Sequence, residues 1–269
     1  MTGYLCPICR KGLEKNGNSY VCESRHTFDL AKSGYVNLLP ASKMNSKTPG
    51  DSKEMVLARR DFLDKGYYEG LRDALAQKAG ELSPESPVYF DAGCGTGYYT
   101  SAVISALKDP VCLGVDISKF ATDVTAKREK RGLFAVASVY DLPLEDDSVD
   151  IITNVFSPMA EDEYRRILKK GGYLLYVVPG PRHLYSLKEL LYDTPYENEV
   201  SYPYYQGFEE IERTECVFDV RLENAVDTER LFAMTPYFWR TPAGALEKIR
   251  ALDGLDTVAQ FYICVLRRI

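Results

Sequence analysis

The chain has no positively charged start followed by an apolar stretch, and no apolar run in its 269 residues is long enough to span a bilayer. No sequence feature supports secretion or membrane insertion, so the expectation is a soluble, cytoplasmic protein with no membrane partner. A basic balance is also missing: 33 Lys and Arg face 39 Asp and Glu, a net charge of −6. That balance argues against an indiscriminate nucleic-acid binder. The GxGxxG spacing of a nicotinamide site does not occur either. Without a secretory segment the seven cysteines do not read as a disulfide set. Cys94, Cys112, Cys216 and Cys264 are scattered in apolar segments and read as small core residues, whereas Cys6, Cys9 and Cys22 crowd near the start.

The crowded cysteines continue into a histidine. The spacing Cys6-x2-Cys9-x12-Cys22-x3-His26 puts two thiolates on one knuckle and a thiolate with an imidazole on another, a set that suits tetrahedral zinc. Four protein ligands fill the coordination sphere, which points to a structural site. So short a segment has too few apolar residues for a core of its own, so the metal supplies much of its folding energy. Residues 1–48 also hold seven basic side chains against three acidic ones, a local charge of +4 that leaves −10 for the rest. A basic head on an acidic body suggests that the head meets a polyanion.

The stretch around which the chain is organised is VYFDAGCGTGYY, from Val88 to Tyr99. Val88, Tyr89 and Phe90 suit a buried strand, and Gly93, Gly95 and Gly97 allow a sharp turn close to a ligand. The spacing D-x-G-x-G-x-G resembles motif I of S-adenosylmethionine-dependent methyltransferases with a Rossmann-like sheet. A second apolar run, Val111–Val115, ends at Asp116, where a carboxylate can accept from a ribose diol. The expected cofactor contacts are therefore Asp91, the Gly93, Gly95 and Gly97 backbone, Tyr98, Tyr99 and Asp116, with Ser138 and Val139 bordering the adenine and His183 nearby.

Short apolar runs alternate with helical segments from residue 81 onward, which predicts an α/β fold with a mostly parallel sheet. The predicted strands are Val88–Asp91, Val111–Val115, Leu133–Ala137, one within Ser148–Phe156, and Tyr173–Val178, with Gly171-Gly172 ending the helix before the last. The predicted organisation is a zinc module over 1–39, a linker with cleft-covering helices over 40–80, and a methyltransferase domain over 81–269 with an inserted lid near 193–212. Phe218–Leu222 and Val258–Leu266 are expected to form a pair of late strands, one of them antiparallel, with helices at roughly 225–234 and 242–252 between them.

The whole chain resembles the bacterial 23S rRNA (guanine-N1)-methyltransferases of the RlmA type. The likeness runs from the zinc module through Gly50-Asp51, Ala58-Arg59-Arg60 and the glycine motif to Gly180-Pro181-Arg182-His183-Leu184 and Met234-Thr235-Pro236 with Trp239-Arg240. It implies methyl transfer from S-adenosylmethionine to N1 of a guanine in a hairpin of 23S rRNA domain II, by a homodimer whose zinc modules form an RNA-binding surface. It also implies a link to macrolide resistance in producers of such drugs. Of the family's two targets, the tyrosine-rich region 192–205 favours guanine 748 over guanine 745. A methyltransferase acting on a small molecule is the alternative.

Guanine N1 carries a proton at neutral pH, and a base would help remove it. The segment after strand four, Asn154-Val155-Phe156-Ser157-Pro158, contains no carboxylate. Asn154 can orient a guanine edge and Phe156 can stack on it, and His183 is the titratable candidate, with a phosphate- or loop-holding role for the histidine and proton loss to water as the alternatives. Lys43, Lys47, Arg59, Arg60 and Arg182 are the expected phosphate contacts.

Overall fold

The computed structural model describes residues 3–44, 46, 49–199, 204–239 and 244–269. Lys47, part of the 193–212 insert and Arg240 lie outside the described residues. A small antiparallel sheet comes first, built from β1 (Leu13–Asn16), β2 (Ser19–Cys22) and β3 (Thr27–Asp29). The next strand, β4 (Val36–Asn37), leaves this sheet and pairs in parallel with β7 (Gly132–Val136).

Among the described residues the large sheet has eight strands in the order β10 (Phe208–Leu222), β11 (Leu255–Arg268), β9 (Leu168–Pro179), β8 (Val149–Val155), β5 (Val88–Ala92), β6 (Val111–Asp116), β7, β4. At its centre is β5, flanked in parallel by β6 and β8. Beyond β8 lies β9, parallel to it. Next come the long strands β11 and β10. Both late strands run antiparallel to their neighbours, where one was expected to. The architecture is a class I methyltransferase sheet carrying a Cys/His module at its N-terminal end.

Side-chain alternation along β5 divides the core in two. Tyr89 packs with α2 (Glu69–Leu82), α3 (Tyr98–Ala106), α6 (Tyr185–Leu191), α7 (Ala225–Ala233) and α8 (Ala245–Arg250). Phe90 points to the other face, against Tyr4, Leu13 and Tyr20 of the N-terminal module and Tyr164 and Ile167 of α5 (Glu161–Ile167). The module has no separate core because it covers part of this sheet face. A boundary at residue 39 would cut beside β4, a strand of the large sheet.

Helix starts follow local chemistry. Ser52 caps α1 (Lys53–Leu63) by accepting from the Met55 amide at 3.3 Å, and Asn224 caps α7 through the Asp227 amide at 3.0 Å. Ser118 does the same for α4 (Lys119–Arg128). One expectation is corrected. Gly171-Gly172 does not end α5, because β9 begins at Leu168 and runs through both glycines. The short helix α6 was not foreseen, since seven residues carry too little periodicity to be read.

Tyr4 fastens the module to the sheet. Its buried hydroxyl lies 2.8 and 2.9 Å from the Gly114 and Leu133 carbonyls and accepts from the Gly114 amide at 3.1 Å. Tyr4→Phe leaves these groups short of a partner in a dry site. It should lower unfolding free energy by about 1–3 kcal/mol in urea titrations while leaving metal content unchanged.

Candidate functional site

The four candidate metal ligands converge. One donor atom from each of Cys6, Cys9, Cys22 and His26 lies within 4.8 Å of all the others. His26 Nδ1 is 3.5 Å from Cys6 Sγ and 3.4 Å from Cys22 Sγ, and the Cys9 and Cys22 sulfurs are 3.6 Å apart. These are close to the edges of a tetrahedron with metal–sulfur bonds of about 2.3 Å and a metal–nitrogen bond of about 2.0 Å. The Lys11 amide holds the Cys9 thiol down at about 6, toward the ligating thiolate, whereas burial pushes Cys6 up. The donor set fits a structural zinc ion bound through three sulfurs and Nδ1.

The turn after β5 opens a cleft of about 1230 Å³ beyond the strand ends. The Gly93 and Cys94 amides both donate to the Val115 carbonyl at 2.9 Å, and the Gly95 amide donates to Asp116 Oδ2 at 2.9 Å. Gly93 has φ 91°, and a Cβ there would sit 2.5 Å from Ser157 Oγ. Gly95 has φ 54°, and a Cβ there would meet only the Gly93 carbonyl, at 3.9 Å. The space beside Gly95 is therefore open to a ligand.

Asp91 is buried beneath the turn, accepting from Thr100 at 2.5 Å and Thr153 at 3.1 Å. Burial raises its carboxyl to about 6, against the pull of those hydroxyls. Asp116 lies at the cleft wall, where burial also raises its pKa and the Ser118 and Gly95 amides oppose the shift. Thr96 Oγ1 and the Tyr99 hydroxyl are buried at the same cleft with no hydrogen-bond partner among the described residues. Two unmatched hydroxyls, an open glycine and a carboxylate fit the polar part of S-adenosylmethionine. Ala137, Ser138, Val139 and Tyr140 line the neighbouring wall and Tyr98 lines the floor beside Tyr99.

This side is closed by residues at the start of the predicted cleft-covering stretch that sequence reasoning did not name as cofactor contacts. The Asp51 carbonyl accepts from Ser118 at 2.8 Å, and a Cβ on Gly50 would lie 2.8 Å from Ile117. Asp51, Met55 and Arg59 all line the cleft, and Arg59 is ion-paired to Asp51. Arg59, expected to reach RNA phosphate, lies in the cleft wall with its guanidinium on Asp51. The Gly50-Asp51 pair in the resemblance was the available signal.

At the acceptor end, Asn154 does not line the cleft. Its Nδ2 donates to the Pro158 carbonyl and the Tyr164 hydroxyl, both at 3.0 Å, and its Oδ1 accepts from the Ser157 amide at 3.1 Å. It braces the turn, and its polar atoms are used there rather than on a guanine edge. Phe156 does line the cleft. It is 49% exposed, has φ 58° and packs on Phe261 with ring centroids 5.3 Å apart. Left-handed backbone is strained for a bulky residue, and the surrounding turn holds it in place.

His183 lines the same cleft, but burial holds its pKa at about 3. Its Nδ1 accepts from the Gln260 amide at 3.3 Å, so the neutral ring carries its proton on Nε2. This corrects the expectation of a base, because the ring is far too weakly basic for proton abstraction near neutrality. The basic candidates are dispersed. Lys43 and Arg10 share Asp141, Arg60 pairs with Asp61, and Arg182, which does not itself line the main cleft, pairs at 2.9 Å with Glu197, which does.

The two glycines predict opposite phenotypes. Gly95→Ala should weaken S-adenosylmethionine binding at least about tenfold by calorimetry, with a stability loss of only about 1 kcal/mol. Gly93→Ala should instead lower the melting temperature sharply, because its new methyl collides with Ser157.

Comparison with known proteins adds to this geometry. Residues 4–47 match the family described as "RlmA, N-terminal", and residues 90–176 match "Methyltransferase domain". The chain is 34% identical over 272 residues to the Streptomyces fradiae protein named 23S rRNA (guanine(748)-N(1))-methyltransferase, covering 96% of this chain and 95% of that one. It is 29% identical over 277 residues to Bacillus subtilis YxjB, provisionally named a 23S rRNA (guanine-N(1)-)-methyltransferase, covering 97% and 96%. The crystal structure of Bacillus subtilis YcgJ superposes with a TM-score of 0.50 at 20% identity, covering 74% of this chain and 98% of that one, a likeness of fold alone. Identity of this degree over almost the whole of both chains means that the protein belongs to the bacterial 23S rRNA (guanine-N1)-methyltransferase family of the RlmA type.

Proposed function

We propose that this chain methylates N1 of guanine 748 in a domain II hairpin of 23S rRNA, with S-adenosylmethionine as donor. The observation that carries the reading is the near full-length identity to the Streptomyces fradiae enzyme whose name specifies that guanine. The cleft supports it by keeping its two ends distinct. Asp116, Gly95, Thr96 and Tyr99 gather at the ends of β5 and β6, and Phe156 and His183 gather after β8 and β9.

S-adenosylmethionine supplies a methyl group already activated on its sulfonium, so the protein's task is alignment and exclusion of water. Asp116 accepts from the ribose hydroxyls, and the glycine turn, Thr96 and Tyr99 receive the methionine part. Ser138 and Val139 border the adenine, and Arg59 stiffens the covering segment through Asp51. Phe156 presents its exposed face to the target guanine, which has to leave its stack to enter the cleft. His183 serves as a neutral donor through Nε2–H, Asn154 fixes the turn that carries Phe156, and the N1 proton leaves to water.

Lys43, Lys47, Arg60 and Arg182 remain the proposed phosphate contacts, together with Arg10, which shares Asp141 with Lys43. The family resemblance supports a homodimer paired through its zinc modules and a cytoplasmic location. Among the described residues no helix is long and apolar enough to cross a membrane.

Incubation with labelled S-adenosylmethionine and domain II RNA should yield 1-methylguanosine by nucleoside mass spectrometry and a primer-extension stop at 748. Methylation at guanine N2, at another position, or of a small molecule only would overturn the reading. With His183 neutral throughout, kcat/KM should show no inflection between about pH 5.5 and about pH 7.5 that disappears in His183→Gln. That variant should retain the wild-type profile and lose less than about tenfold in rate.

A further inference from the structure

Lys188, in the middle of α6, is completely buried. Among the described residues no carboxylate lies within ion-pair distance of it. Its Nζ donates to the Tyr196 carbonyl at 2.9 Å and to Asn198 Oδ1 at 2.7 Å. The ammonium lies 4.4 Å from the Tyr196 ring centroid and 5.7 Å from that of Tyr237. Burial lowers its pKa and the nearby Glu197, itself paired with Arg182, works against that shift.

A buried ammonium is costly to desolvate, and a methionine of similar length would fill the same space without that cost. The charge does something methionine could not, which is to join three separate parts of the chain. Asn198 also donates to the Gly180 carbonyl at 2.7 Å and its amide to the Pro181 carbonyl at 2.9 Å. The ammonium thus holds the segment 196–198 directly, reaches the Gly180–Leu184 turn through Asn198, and faces the Tyr237 ring of the segment 235–237. Each contributes to the cleft, through His183, through Tyr196 and Asn198, and through Thr235 and Tyr237. Sheet order puts the turn after β9 on the opposite side of β5 from Asp116, at the acceptor end.

We propose that Lys188 is a positioning residue for the target guanine, its ammonium holding these three segments together as the acceptor wall. The inference rests on the reading of RNA as the acceptor. The geometry separates this wall from the cofactor end, so removing the charge should affect acceptor placement and leave donor binding intact.

The test compares wild type with Lys188→Met and with Asn198→Ala, which removes the partly exposed partner and serves if the first variant does not fold. Both should bind S-adenosylmethionine within about twofold of wild type by calorimetry. Lys188→Met should melt at the wild-type temperature or above. Both should show a kcat on domain II RNA at least about tenfold lower and faster amide exchange over residues 194–199. An RNA kcat within about threefold of wild type, or unchanged exchange over 194–199, would overturn the proposal. Parallel loss of donor affinity and melting temperature in both variants would also overturn it, by showing that the lysine serves the fold as a whole. Should wild-type protein methylate no RNA, the proposed function itself fails, and the exchange measurement alone decides the role of Lys188.

Discussion

The backbone amides that leave β5 have to be received by the next strand, and the rest of the molecule is arranged to allow this. Gly93 and Cys94 place two amides on one Val115 carbonyl, and Gly95 places a third on Asp116. A turn so pinned cannot relax away from the cleft, and positive φ at three glycines makes it accessible to an L-peptide at tolerable cost. The buried carboxylate of Asp91 adds a tie from below to α3 and β8. Its raised pKa shows that this brace is bought with desolvation.

The same sheet explains the N-terminal module. A four-ligand knot of about forty residues cannot bury a core, yet Tyr4, Leu13 and Tyr20 are buried because they share one with Phe90, Leu113 and Val115. The metal orders the knuckles while β4 and the Tyr4 hydroxyl fix their position on the catalytic body. Arg10 and Lys43 meet at Asp141, one residue from the exposed Tyr140 at the cleft rim. The basic head therefore has a fixed place beside the cleft, which a flexible tether would not provide.

Much of this is legible in the sequence itself. The Cys6-Cys9-Cys22-His26 spacing, the three glycines and Asp116 are local patterns whose chemistry depends on neighbours in sequence, and the four metal-ligand candidates do converge. Relations between distant residues were not legible. Nothing in the sequence says that Val36 lies beside Ala135, that Arg59 turns toward Asp51 at the cofactor end, or that Lys188 reaches Asn198. Asn154 and His183 were chosen for residue type and location. Their hydrogen bonds with Tyr164 and Gln260 are supplied only by the fold.

The account depends on the pinned turn being a cradle for a methyl donor. Calorimetric titration of metal-replete protein with S-adenosylmethionine tests this directly. One molecule bound per chain, with affinity lost when Asp116 is replaced by alanine, is the predicted result. Absence of binding in folded protein, or binding indifferent to Asp116, would contradict it.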